Sequence, residues 1–285
     1  MKKKKMEFTS SMKVVTANEF ITANGLPGMS LKARKLLYMV VSQCRKNDND
    51  LYSYCISISD FAKLMDIAST NIYAEAYFIS QELSLTVLSI GDERIGYRHY
   101  PVVESCIYED GVLHINLNRS MTQFLLHLRG SFTKPLLEDF LRMKSPYSMA
   151  IWHLMQREMG SKKPGIVDVI EFELTLQELR QVTGTENKLK QIGQFKERVL
   201  DKAIREIREN CGVEISYSNI KQNKRIVAFH FVAISPLHLD ASKLPVTVRE
   251  KGERIRRSRK MTKQEQKEYN ELVGGAHQMS IDELF

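Results

Sequence analysis

The sequence is short of the features that make a chain disulfide-stapled, metal-bound or membrane-spanning. Its 285 residues include four cysteines, Cys44, Cys55, Cys106 and Cys211, and no two form a CxxC pair. That spacing argues against a zinc finger and a disulfide framework, and scattered thiols fit a reducing cytoplasm. The longest apolar runs are Leu36–Val41 and Ile226–Ile234, the second broken by His230. Both fall far short of the ~20 residues that cross a bilayer. The basic start Met1–Lys5 has no apolar stretch behind it, so it does not read as a secretory signal. No membrane partner is expected.

Catalytic motifs are missing as well. The histidines, at 99, 114, 127, 153, 230, 238 and 277, never occur as a pair flanking one apolar residue, the arrangement that holds the metal of tyrosine-dependent DNA nickases. There is no GxxxxGK[ST] loop for a nucleotide triphosphate. Asp48-Asn49-Asp50 begins like a calcium loop, but the Gly and the downstream Glu are absent. Glu171 and Glu173 share one face of a strand, with nothing to complete an acid–base pair. The expectation is a protein that is not an enzyme and takes no cofactor and no metal.

What the chain does have is positive charge, unevenly placed. Lys+Arg is 42 against 34 Asp+Glu, a net +8 that points to an anionic partner. Residues 31–130 carry 10 basic and 11 acidic groups, whereas Lys188–Arg225 alone carries 10 against 5. Phosphate attraction is therefore expected in the second half. Smaller surpluses lie in Lys2–Lys5 and Arg249–Lys260.

Hydrophobic spacing and capping residues give the same order of elements twice. Ser30 caps a helix over Leu31–Lys46, and Tyr54–Ile58 reads as a strand. Ser59 or Asp60 caps a short helix, Phe61–Met65, and Ser69 or Thr70 caps a third ending near Leu83. Strands over Leu85–Ile90, Tyr97–Ile107 and Val112–Leu117 follow, with turns at Gly91–Gly96 and Glu109–Gly111. Later, Ser145-Pro146 opens a helix to about Met159, and Val167–Leu174 alternates as a strand. Thr175 caps Leu176–Val182, with Glu178 at the capping-box position. A long helix over Lys190–Asn210 and a hairpin of Val213–Ser218 and Arg225–Ile234 complete the second set. Helix, strand, helix, helix, hairpin is the order of a winged helix. The predicted fold class is α+β, with two tandem winged-helix domains over 13–130 and 131–240. A flexible basic arm, 1–12, precedes them. A basic, partly disordered tail, 241–285, follows, with one more helix over Thr262–Val273.

At 100° per residue, Ile192, Phe195, Val199, Leu200, Ala203, Ile204 and Ile207 fall on one side of the long helix. Lys190, Gln191, Gln194, Arg198, Lys202, Arg205 and Arg208 fall on the other. Arg and Gln read guanine and adenine through paired hydrogen bonds. The expected contacts with double-stranded DNA are Lys188, Lys190, Gln191, Gln194, Lys196, Arg198, Lys202 and Arg205. Lys221, Asn223, Lys224 and Arg225 of the hairpin tip would meet the neighbouring phosphates. The competing reading is a solvated amphipathic helix with i,i+4 ion pairs, and the basic hairpin directly after it favours DNA. The matching helix of the first half, Thr70–Leu83, contains no Lys or Arg. Asn71 and Tyr73 are auxiliary DNA candidates there, and a protein-contacting or structural role for that helix stays open.

Three stretches resemble the initiator replication proteins of iteron-containing plasmids. Phe140-Leu141-Arg142-Met143-Lys144-Ser145-Pro146-Tyr147-Ser148-Met149 is similar to that family's Ser-x-Tyr-Ser/Ala-Met/Ile segment. Phe172-Glu173-Leu174-Thr175-Leu176-Gln177-Glu178-Leu179-Arg180 is the second stretch. Phe195-Lys196-Glu197-Arg198-Val199-Leu200-Asp201-Lys202-Ala203-Ile204-Arg205-Glu206-Ile207 resembles the family's DNA-reading helix, and Val213–Ala233 its wing. Ala150 stands where the family commonly has Arg, and Glu197 lies within the usually basic start of the reading helix. The resemblance implies two winged helices that bind repeated origin DNA as a monomer. It also implies dimers joined through the first domain that repress the initiator's own gene. The host replication initiator, helicase and chaperones are further implied partners. A winged-helix repressor without initiator activity and an origin-nicking endonuclease are the alternatives. In the tail, Gln278-Met279-Ser280-Ile281 and Leu284-Phe285 carry parts of a sliding-clamp-binding peptide at the wrong spacing.

Overall fold

A computed structural model of the chain describes residues 3–235 apart from 10, 46, 68, 93, 95 and 161–167. The Arg249–Lys260 run, the Thr262–Val273 helix and the terminal peptide lie outside the described residues.

The first half opens with a short strand, β1 (Lys3–Lys5), then β2 (Thr16–Ala17) and α1 (Asn18–Thr22). Ser30 caps α2 (Leu31–Val41) by accepting the Ala33 amide on its hydroxyl. Leu36 through Val41 are all buried, so the second half of this helix is apolar all round and runs through the core. It stops at Val41, short of Lys46, because the polar residues beyond it turn back toward β3 (Ser53–Ser57). Ser57, earlier than Ser59 or Asp60, caps α3 (Ile58–Met65) through the Asp60 amide. A 3-10 turn over Ser69–Asn71 leads into α4 (Ile72–Ser84), which therefore starts later than a cap at Ser69 or Thr70 would set it.

The expected single strand Tyr97–Ile107 is two strands. β4 (Val87–Asp92) and β5 (Gly96–Pro101) make a hairpin of their own, while β6 (Val103–Glu109) pairs with β7 (Val112–Leu117). The chain changes sheets at Val102, which is fully buried and bridges the two through the Thr86 carbonyl and the Asn118 amide. Alternation alone does not reveal such a crossing, because both strands keep the same period.

A connector of α5 (Thr122–Leu125), β8 (Phe132–Thr133) and α6 (Leu137–Arg142) leads to α7 (Pro146–Gly160). Then come β9 (Asp168–Thr175) and α8 (Leu176–Thr183), capped by Thr175 through the Glu178 amide. The long helix runs over 192–211 in three continuous stretches: α9 (Ile192–Phe195), a π-helical segment Lys196–Asp201, and α10 (Lys202–Cys211). β10 (Glu214–Gln222) and β11 (Arg225–Ser235) end the described chain. In both sheets the first strand of the set lies beside the last, which pairs with the middle one: β3-β7-β6 and β9-β11-β10. That shared order makes each half a winged helix. The first sheet gains β1, which runs parallel to β3. Lys3–Lys5 therefore forms an edge strand within the expected flexible arm. It is held because Lys4 Nζ reaches Asp48 Oδ2 at 2.9 Å and Met6 behind it is buried.

One apolar cluster runs through both halves. A polar seam crosses it where α2 meets α7. His153 is fully enclosed, with Nδ1 3.0 Å from the Tyr38 hydroxyl and Nε2 3.2 Å from Thr16 Oγ1. Neutral imidazole has one donor and one acceptor, so both ring nitrogens are used. Burial pushes this histidine down to about 3, with a smaller push from Arg34. Arg34 is itself enclosed and donates to the carbonyls of Leu26 and Pro146. β2–β8 pairing (Thr16↔Thr133) ties the same seam from the other side.

Two outcomes follow from this packing. Between pH 6.5 and 3 the unfolded chain protonates His153 and the folded chain does not, so stability falls as pH drops through that window. The His153 contribution should be weaker at pH 5 than at pH 7 by about 2 kcal/mol. Urea unfolding of the natural chain and His153→Gln at both pH values checks this, and equal pH slopes would refute it. Phe195 is fully buried on the core side of the long helix. Phe195→Ala should destabilise the protein by about 3–5 kcal/mol in the same assay.

Candidate nucleic-acid interface

The buried positions of the long helix include Phe195, Val199, Ala203, Ile207 and Cys211, each four residues apart. In an uninterrupted α-helix such positions drift by about 40° per step. The widened π turn of Lys196–Asp201 takes up part of that drift and keeps the stripe against the core. Leu200 is buried as well, and Ile192 and Ile204 pack at the margin. Lys190, Gln191, Gln194, Arg198, Lys202 and Arg205 are all exposed on the opposite side, together with Glu197 and Asp201. Lys188 is exposed in the turn before the helix.

Lys196 is placed differently from the rest of the predicted set. It is half-buried, with Nζ 5.2 Å from the centre of the Tyr217 ring on β10. The Tyr217 hydroxyl in turn donates to Asp201 Oδ1 at 2.7 Å. Burial, and then this contact, raise the tyrosine's pKa, so it stays a donor. These three residues seat the wing against the helix. Arg208 is turned toward Glu214, 3.6 Å away, and burial raises the pKa of that carboxyl despite the arginine. Arg205 and Arg208 flank a cleft of about 320 Å³ between α10 and β10, away from the start of the helix.

The wing is a tight hairpin. Gln222 pairs with Arg225, leaving Asn223 and Lys224 as the two-residue turn, at φ 49° and 66°. Two successive left-handed residues fit the right-handed twist of the flanking strands. Lys221, Asn223, Lys224 and Arg225 are all exposed around this tip. A bulge between Ile220 and Lys221 bends the ribbon just before it. The tip and the exposed stripe of the long helix each carry a positive surplus.

Sequence reasoning passed over three residues that build this surface. Tyr217 holds the wing. Glu206 is buried, and its Oε2 accepts the amides of Lys144 at 3.0 Å and Ser145 at 3.2 Å, anchoring α10 to the start of α7. Arg180 donates to four backbone carbonyls of the turn before the long helix and lies 4.7 Å from the Phe195 ring centre. All three belong to stretches whose pattern is visible, but none shows its partner in the sequence.

The first half presents a different surface. Asn71 and Tyr73 are both exposed at the start of α4. Tyr73, Tyr77 and Phe78 are 62%, 61% and 64% exposed, and no cation lies on this helix. Glu75 and Glu82 turn back to α2, pairing with Lys32 and with Ser30. Between α4 and the sheet lies a groove of about 520 Å³ lined by Tyr73, Tyr77, Ser80, Cys106 and Tyr108.

A crystal structure of Pi initiator protein in complex with iteron DNA has the same fold. Its TM-score is 0.68 at 20% identity, covering 80% of this chain and 99% of that one. Residues 13–156 match the family described as Initiator Replication protein, WH1, and residues 175–232 that described as Initiator Rep protein, WH2. With the first match alone spanning half of the chain and the second following in order, the protein belongs to the initiator replication protein family and carries both of its winged-helix domains.

Proposed function

We propose that the protein is a plasmid replication initiator that binds repeated origin DNA, reading it chiefly with its second winged helix. The observation that carries this is the joint surface of the long helix and the wing. Gln191, Gln194 and Arg198 lie on one exposed stripe, and four polar or basic residues are exposed at the tip of the wing that Tyr217 seats on the same helix. The Pi structure, caught on iteron DNA, supports the choice of ligand. Lys188, Lys190, Lys202 and Arg205 serve as phosphate contacts in this reading, with Lys221, Asn223, Lys224 and Arg225 from the wing. Lys196 contributes by seating the wing as much as by touching DNA.

In this reading the first domain, 13–130, joins two copies and supplies at most auxiliary contacts through Asn71 and Tyr73. The neutral, aromatic face of α4 supports protein contact over phosphate contact. The second domain, 131–240, reads the repeats. The dimer represses the initiator's own gene, and the monomer at the origin recruits the host initiator, helicase and chaperones in the cytoplasm. Binding energy and geometry do the work, without covalent chemistry. Incubation with supercoiled origin DNA should leave it uncut, and metal-dependent nicking would favour the endonuclease alternative. Replication of an origin plasmid in a host distinguishes an initiator from a repressor.

Two substitutions separate reading from phosphate attraction. Arg198→Ala should weaken binding to the repeat by about 1–3 kcal/mol and relax its sequence preference. Lys224→Ala should weaken binding to all duplexes about equally and lower the salt slope by about 1. Fluorescence anisotropy across a salt series measures both, and a sequence-selective loss for Lys224→Ala would contradict its assignment.

A further inference from the structure

The turn between α8 and the long helix has an unusual centre. Arg180 Nη1 donates to the carbonyls of Thr185 at 2.9 Å and Lys188 at 3.0 Å. Its Nη2 donates to those of Leu189 at 3.0 Å and Lys190 at 3.3 Å. Four carbonyl dipoles converging on one point repel each other unless a cation sits between them. A planar guanidinium has a fixed fork of donors that can reach all four, whereas an ammonium is a single point with three. The same guanidinium packs on Phe195, in the first turn of the long helix. The turn is otherwise awkward: Leu189 takes φ 50°, a conformation a leucine rarely adopts.

In a trans peptide the carbonyl and the amide hydrogen point in opposite directions. The carbonyls of 188, 189 and 190 all face Arg180, so the amides of Leu189, Lys190 and Gln191 face away from it. None of these three amides donates to a backbone carbonyl of the described chain. The side chains of Lys188, Lys190 and Gln191 are exposed on this segment.

We propose that Arg180 is a positioning residue for DNA binding. It holds the 185–190 turn so that Lys188, Lys190 and Gln191 enter the interface together with the start of the reading helix. Its own terminal nitrogens are spent on the turn, so it acts through these three residues and not on the DNA itself. The inference rests on the DNA-reading role assigned above to the second winged helix.

The test is a coupling measurement on the full chain. The probes are a fluorescent duplex carrying the repeat that the natural chain selects from a random-sequence pool and a shuffled duplex of the same composition. Arg180→Lys keeps the charge and removes the fork. It should lower affinity for the repeat by about tenfold and reduce the salt slope by at least 1, while the protein still unfolds in one cooperative transition. Lys188→Ala with Lys190→Ala should weaken the natural chain and have little further effect in the Arg180→Lys background. Additive losses, or natural affinity in Arg180→Lys, overturn the proposal. Loss of cooperative unfolding in Arg180→Lys assigns the residue to the core and overturns it too. If the paired lysine variant binds like the natural chain, Arg180 has nothing to position. Failure of the natural chain to prefer the repeat over the shuffled duplex would instead count against the DNA-reading role itself.

Discussion

A single buried carboxylate joins the parts of this molecule that matter for its surface. Glu206 sits on the inner side of the long helix and accepts the amides of Lys144 and Ser145, just ahead of α7. These two amides lie just before the helix and would otherwise lack a partner, while the carboxylate also meets the positive end of the helix dipole; Ser145 Oγ accepts the Tyr147 amide inside the first turn. Lys35 of α2 lies close enough to be drawn to the same carboxylate, and it donates to the Leu141 carbonyl at 2.7 Å. Three helices from both halves thus meet at one charge. The exposed stripe of the long helix takes its direction from this buried one, because a helix fixed on its inner side has no freedom to roll.

The two winged helices share a plan and differ in what they show to solvent. The second presents amides and cations beside a basic hairpin. The first presents tyrosines and a phenylalanine, with its two α4 acids turned inward to α2. The plan is set by buried residues and sheet order, while the surface is set by residues the core does not constrain. One architecture can therefore carry a basic face and an uncharged aromatic face in the same chain.

Much of this was legible from the sequence, and the limits are physical. Thr175 with Glu178 announced its helix start correctly, because a cap is a local interaction between residues three apart. The apolar stripe from Phe195 to Ile207 was legible for the same reason. The crossing at Val102 was not, since it depends on which strands lie nearby and not on the residues in the run. Ser57 outcompeted Ser59 and Asp60 as a cap because the end of β3 fixes where the chain can turn. The site shows the same division. Exposure of Arg198 and Lys202 follows from periodicity, whereas the seating of Lys196 on Tyr217 and the grip of Arg180 on its turn need the folded wing and loop. The early strand Lys3–Lys5 was hidden by its composition: three lysines read as solvated until β3 offers them a backbone edge.

The seam around His153 bears on how the halves can be separated. Thr16 and Tyr38 come from the first half and the imidazole from the second, and Thr16 lies in the strand that pairs with the connector. A break in the chain near residue 130 would leave each piece with half of a polar socket and an opened apolar wall. The segments before and after residue 130 are consequently one packing unit around His153, and the match to the first winged helix, residues 13–156, takes in the whole socket. Recombination between relatives would preserve folding only where it exchanges both sides of that socket together.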